Sequence, residues 1–141
     1  MNDKNIKLGD WTSLQKDAQA IRYAVFVVEQ KIPADLEWDA MDALCLHAVA
    51  YDENKNPIGT GRLLPDGHIG RMAVMESARG TGIGAAILLL LMAQAKLRGQ
   101  HGVQLNAQVT AESFYQREGF AREGGLFEEA GIPHVHMTHN F

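Results

Sequence analysis

The chain has 141 residues, 46% of them apolar and 21% charged, with a formal net charge of −4. That length fits one domain over residues 1–141, with enough apolar material for a compact core. The negative balance argues against a nucleic-acid or anionic-membrane partner, and the one cysteine, Cys45, excludes an internal disulfide.

Met1 to Gly9 is polar and lacks an apolar signal core, so the cytoplasm is the expected location. Within it, Asn5 to Leu8 reads as a first strand. Asp10 or Thr12 can cap a helix, because a side-chain oxygen there accepts from the free N–H groups of the first turn. Leu14, Ala18, Ile21, Ala24, Val25 and Val28 then recur at helical spacing. Pro33 ends the region. Ala34 to Ala43 carries Asp35, Glu37, Asp39 and Asp42 and reads as an acidic loop with a short helical turn.

Leu44 to Tyr51 and Ile58 to Leu64 read as a hairpin around the Asp52–Pro57 turn cluster. Cys45 reads as a small buried hydrophobe rather than a nucleophile. Pro65-Asp66-Gly67 turns the chain into a third strand, His68 to Met75. The most apolar run, Ile83 to Met92, is too short to cross a bilayer and belongs to a buried helix reaching Arg98. Gly99 and Gly102 bracket its end. Val103 to Ala107 reads as a strand and Thr110 to Glu118 as a short helix with Gly119 as its cap. Phe120 to Glu123 is extended, Gly131-Ile132-Pro133 is a turn, and His134 to His139 is a final strand. Mixed strands and helices around one sheet predict an α/β or α+β three-layer fold.

Between the third strand and the apolar helix stands Arg79-Gly80-Thr81-Gly82-Ile83-Gly84. Glycines let the backbone turn tightly and approach a ligand, and the helix behind adds unpaired N–H groups and a positive dipole end. Such a turn suits a phosphate or pyrophosphate. No Asp or Glu occurs from Ser77 to Ala111, whereas Arg79, Lys96 and Arg98 do. A Walker A loop is excluded, because Gly84 is followed by Ala85-Ala86 and not by Lys-Ser/Thr. The dinucleotide fingerprint is met by Gly80 to Ala85, but the acidic residue it needs about 20 positions later is missing. A ligand-free turn and a nucleotide-binding oxidoreductase stay open on the pattern alone.

With Met72-Ala73-Val74 before it, this turn resembles motif A of the GNAT superfamily of N-acetyltransferases, through Arg79, Gly82 and Gly84. Asn106-Ala107-Gln108 and Phe114 to Phe120 resemble its downstream motif. Arg22 to Gln30, Asp39-Ala40-Met41-Asp42 and Gly131 to His134 resemble an ElaA/YjcF-like subgroup. The resemblance implies a GNAT acyl-CoA N-acyltransferase fold, a central mixed and mostly antiparallel sheet flanked by helices. It implies an acetyl-CoA-dependent N-acetyltransferase that acts by direct attack of an amine, on a small molecule or a peptide, without a metal.

The resemblance also assigns residues. Acetyl-CoA would lie in a V-shaped gap between the strands ending at Val74 and starting at Val103. Its pyrophosphate would sit on Arg79, Gly80, Thr81, Gly82, Ile83 and Gly84, and its pantetheine arm on Met72, Ala73 and Val74. An N–H near Met72 would hold the oxyanion, and Asn106 would bond the arm. Tyr115 would be the general acid for the leaving thiolate. The strand His68-Ile69-Gly70-Arg71-Met72 lacks the carboxylate that serves many relatives as general base. Glu29, Asp42, His47, His134, His136 and water stand as candidates. His134-x-His136 offers two metal ligands, too few for a closed site. The acidic segment Asp35 to Asp42 would attract a cationic amine or be a solvated loop. Two further readings stand: a coenzyme A-binding sensor that has lost catalysis, and a homodimer as assembly.

Overall fold

The computed structural model describes residues 5–141, so Met1 to Lys4, part of the polar N-terminal segment, lie outside the described residues. The elements run β1 (Ile6–Gly9), α1 (Trp11–Arg22), α2 (Ala34–Glu37), β2 (Leu46–Tyr51), β3 (Pro57–Leu63) and β4 (Ile69–Val74). They continue with α3 (Ile83–Leu97), β5 (Gly102–Gln108), α4 (Glu112–Arg117), β6 (Ala121–Glu129) and β7 (Ile132–Asn140). Asp10 does cap α1, its carboxylate accepting from Ser13 N–H at 2.9 Å. The helix then widens into a π-helical stretch, Tyr23–Glu29, where helical spacing had predicted regular α-helix.

The strands form two antiparallel sheets, ordered β1-β2-β3-β4 and β5-β7-β6. They touch at a single parallel bridge, His68 to Gln104. That bridge is the parallel part of the expected mixed sheet. Strand alternation sorts β2 between two layers. Ala48 and Ala50 face α3 and its buried residues Ile83, Ile87, Leu88 and Leu91. Val49 faces α1, with Leu14, Ala18 and Ile21. Gly59 and Gly61 on β3 leave room for α3. A Cβ at Gly59 would stand 2.9 Å from both Ile83 and Ile87.

Two readings of the sequence change. The extended segment after Phe120 runs on to Glu129 as a nine-residue edge strand, all of it exposed. A register shift between Arg122 and Leu126 takes up the glycine pair that masked its continuity. The acidic segment is solvated only in part: Asp35 and Asp39 are exposed, whereas Glu37, Asp39 and Asp42 are all paired with arginines. Glu37 and Asp42 are buried at 3% exposure each, beside Arg22 at 1%. Asp42 accepts from Arg22 at 2.8 and 3.1 Å and from Arg62 at 2.9 Å, and Arg22 Nε pairs with Glu37. Asp39 is gripped by Arg62 at 2.8 and 2.9 Å and by Arg71 at 3.1 Å. Trp11 and Trp38 flank the Arg22 guanidinium, each at 5.3 Å. Arg22, Glu37, Asp42 and Arg62 thus form a charged core beneath β3 and β4, with Asp39 and Arg71 at its more exposed rim.

Candidate active site

β4 and β5 are the facing edge strands of the two sheets, and beyond the His68–Gln104 bridge they diverge. The expected V-shaped gap opens there. On β4 the ladder pairs Ala73 with Thr60 and Gly70 with Arg62, so Arg71 and Met72 together oppose Gly61 alone. This bulge, with Arg71 at φ 48°, leaves Arg71 and Met72 without ladder partners. Gly61 stands opposite it, where a Cβ would fall 2.5 Å from Met72 Sδ and 3.1 Å from both Ile87 and Leu91, so a larger residue would need Met72 to move.

The glycine turn follows at the wide end of the gap. Gly80 and Gly82 have φ 78° and 86°, a region that L side chains rarely enter, and nothing lies within 4 Å of where a Cβ would sit on either. Gly82 starts α3 without a side-chain cap, and the first backbone bond back to it comes from Ala86. The N–H groups of Ile83, Gly84 and Ala85 therefore stay open to an anion. Thr81 is turned away, its hydroxyl donating to Ala78 O. Arg79 donates to Val74 O at 3.0 Å and grips Glu29 at 2.6 and 2.7 Å.

Two cavities meet in the gap. One, about 540 Å³, is lined by Met72, Val74, Arg79, Gly80, Gly82 and Gly84, with Phe114 and Tyr115. The other, about 650 Å³, lies on the α2 side and is lined by Phe26, Gln30, Asn106, Gln108, Tyr115 and His134 among others. Met72, Ala73, Val74, Arg79 and Tyr115 belong to both. The first is bordered by the open N–H end of α3 and the free edge of β4. Tyr115 is 8% exposed, held edge-on between Phe114 at 5.0 Å and Phe120 at 5.9 Å. Burial pushes its phenol up to about 12, so it is neutral at physiological pH. A neutral phenol can donate a proton. Asn106 Oδ1 is held by His136 Nδ1 at 2.8 Å.

The candidate bases separate by position. Glu29 is clamped on Arg79, which holds its carboxyl below the usual range. Asp42 is locked between two arginines. His47 is 1% exposed, stacks on Trp11 at 4.7 Å and donates from Nε2 to Asp42 O at 2.9 Å. Burial lowers its pKa and keeps it neutral. Glu29 and Asp42 are tied up in ion pairs, and none of Glu29, Asp42 and His47 lines either cavity. His134 does line the second cavity, whereas His136 is turned to Asn106. Cys45 donates to Met41 O at 3.1 Å, and burial pushes its thiol up to about 11, which makes it inert. Among the described residues, no group of three or more His, Cys, Asp or Glu could hold a metal ion. No helix among them is long and apolar enough to cross a membrane.

Residues 15–141 match the model of the acetyltransferase (GNAT) domain. The chain belongs to the GNAT acetyltransferase family. Its relatives include YjcF of Bacillus subtilis (strain 168), an uncharacterized N-acetyltransferase, 40% identical over 126 residues covering 86% of this chain and 89% of that one. ElaA of Escherichia coli (strain K12) is 31% identical over 126 residues, 84% of this chain and 82% of its own. The crystal structure of Escherichia coli ElaA superposes with a TM-score of 0.86 over 96% of this chain and 99% of that one, at 27% identity. An acyl-CoA N-acyltransferase from Pseudomonas aeruginosa superposes with a TM-score of 0.82 at 29% identity, over 95% and 97%. This GNAT chain has the family's acyl-CoA N-acyltransferase fold, and acyl-CoA is the family's co-substrate. Within that fold, Glu129 lines the second cavity without having stood out in the sequence, beside Gln30 and Gln108. They come from three separate elements, and no local motif joins them.

Proposed function

We propose that this protein is an acetyl-CoA-dependent N-acetyltransferase that moves an acetyl group to a primary amine by direct attack. The acceptor is a small molecule or a peptide. The observation that carries this reading is Tyr115, which lines both cavities where they meet along Met72–Val74. The open N–H groups of Ile83, Gly84 and Ala85 hold the pyrophosphate, and the free edge of β4 pairs with the pantetheine arm. The bulge at Arg71–Met72 turns backbone toward the acyl carbonyl, where a donor stabilises the developing oxyanion. Asn106 borders the arm from β5. The amine enters from the second cavity, and Tyr115 gives its proton to the departing thiolate.

Tyr115→Phe tests the assignment. The ring packing against Phe114 and Phe120 survives that change, and the proton donor does not. General-acid catalysis contributes roughly 10²–10⁴-fold. The expected result is a fall of that order in kcat for thiol release, with the Kd for coenzyme A unchanged. Undiminished kcat would remove Tyr115 from the chemistry. Coenzyme A binding without turnover of any amine by the unaltered protein would favour a non-catalytic sensor.

A further inference from the structure

The lining of the second cavity is mixed. Its apolar side chains include Val25, Phe26, Ile32, Leu36, Leu64 and Ile69. Leu36 is 55% exposed, a large apolar side chain open to solvent. The lining also carries Glu129 and His134, from β6 and β7.

The charges around this cavity differ in availability. Glu37 is held by Arg22 and Arg71, Asp39 by Arg62 and Arg71, and Arg79 by Glu29. The Nε of Arg62 lacks a partner but is fully enclosed. Each arginine of the lining is thus already paired with a carboxylate, and besides that enclosed Nε only Nη1 of Arg71 is left without a partner. Glu129 differs, since its side chain is 50% exposed, no arginine or lysine pairs with it, and the nearest ring nitrogen is His134 Nε2 at 3.5 Å. His134 itself is 6% exposed. Its Nδ1 lies 2.7 Å from Ile132 O, and a carbonyl only accepts, so Nδ1 carries a proton. In the neutral ring Nε2 is then the acceptor. Facing that ring are Glu129 from β6, the neutral Gln108 in register on β5, and the Phe127 ring stacked at 5.9 Å.

We propose that this cavity takes a primary amine carried on an apolar or aromatic body, its ammonium seated at Glu129 and its proton received by His134 Nε2. This rests on the acetyl-transfer reading above. Glu129 draws the ammonium in, while Phe26, Ile32 and Leu36 cover the apolar body. His134 Nε2 takes one N–H proton and passes it to solvent. The freed lone pair forms the C–N bond, and the C–S pair leaves on sulfur. The nitrogen loses its second proton to solvent, and the Tyr115 phenolate left by protonating the thiolate takes one back from solvent, so one proton is released overall. An acceptor bearing phosphate or carboxylate finds no free cation here and meets Glu129 instead.

The test uses the intact protein with acetyl-CoA, thiol release as readout, and phenethylamine, tryptamine and octylamine as probes beside spermidine and glucosamine 6-phosphate. The apolar amines should show kcat/KM at least tenfold above the other two. Glu129→Gln should raise the phenethylamine KM about tenfold and act on KM more than on kcat. His134→Gln should lower kcat/KM about a hundredfold and remove the acidic limb of its pH profile. The Kd for coenzyme A and the Tm should hold in both variants, which separates the effect from misfolding. Preference for glucosamine 6-phosphate or spermidine would overturn the proposal, as would an acidic limb that persists in His134→Gln. Coenzyme A binding with no turnover of any probe would overturn it while leaving the cofactor cleft standing. Failure to bind coenzyme A would instead overturn the acetyl-transfer reading beneath it.

Discussion

Gly82 stands at φ 86° with open space where a Cβ would be, at the head of a helix whose first N–H groups have no cap. Asp is among the residues that tolerate this backbone region, so Gly82→Asp should cost only about 1 kcal/mol of stability. It would, however, set a carboxylate where the pyrophosphate is expected. Coenzyme A affinity should fall at least tenfold by calorimetry while the urea midpoint barely moves; an unaltered Kd would refute the site. Arg22 presents the reverse case. It is 1% exposed and joins Glu37 to Asp42 between two tryptophan rings. Removing one partner of a buried ion pair strands the other charge, at about 3–5 kcal/mol. Arg22→Ala should therefore lose that much in urea unfolding, far more than an exposed arginine would.

At the scale of elements, the glycine turn is placed by the contact of α3 with β3. Ile83 and Ile87 lie over Gly59, and Ile83 is also the first residue of α3. Any lift of the helix would move the open N–H groups away from the end of β4. Gly59→Ala adds a methyl 2.9 Å from both isoleucines, and overpacking of this kind costs roughly 1–3 kcal/mol. The variant should unfold at lower urea and bind coenzyme A more weakly, because the same contact carries both properties. The π-helical stretch after α1 is positioned in a similar way. It ends at Glu29, which clamps Arg79, and at Gln30, whose amide exchanges bonds with Gln108 at 2.8 and 3.5 Å. One widened helix end thereby touches both sides of the gap.

Across the whole molecule, the charged core beneath β3 and β4 ties stability to pH. Arg62 beside Asp39, with Arg71 adding to it, lowers that carboxyl to about 2. The unfolded chain, with the ordinary value near 3.8, takes up this proton first as pH falls. The pair therefore contributes stability that is fully present above about pH 4 and is lost as pH falls toward 2. Burial pushes Glu37 the other way, so its contribution declines as pH rises above its ordinary range. Asp39→Asn removes the first effect. Its unfolding free energy should fall less steeply between pH 4 and pH 2 than that of the unaltered protein, as measured by urea titration at each pH. An identical slope would mean that Asp39 is not held by its arginines.

Local sequence was sufficient wherever a property is carried by neighbours in the chain. The glycines at 80 and 82, the apolar run of α3, the Asp10 cap and the hairpin around Asp52–Pro57 depend on backbone freedom and period, and both can be read within a dozen residues. The spacing of Arg79, Gly82 and Gly84 and of the segment around Tyr115 carried the family for the same reason. Burial of charge could not be read in this way. Asp35, Glu37, Asp39 and Asp42 look alike in sequence, yet only the last three meet Arg22, Arg62 and Arg71, which arrive from other elements. The strand β6 was shortened by its two glycines because its pairing partner, β7, lies beyond the following turn. Which histidine lines the second cavity was likewise a matter of register: His134 and His136 share a strand, and Asn106 on β5 draws off only the second. The sequence by itself determined the glycine turn at the head of α3 and the family motif around Tyr115, since both are local. Tertiary structure alone decided which carboxylates are buried and which stays free beside His134, since ion pairs and cavities form between segments far apart in the chain.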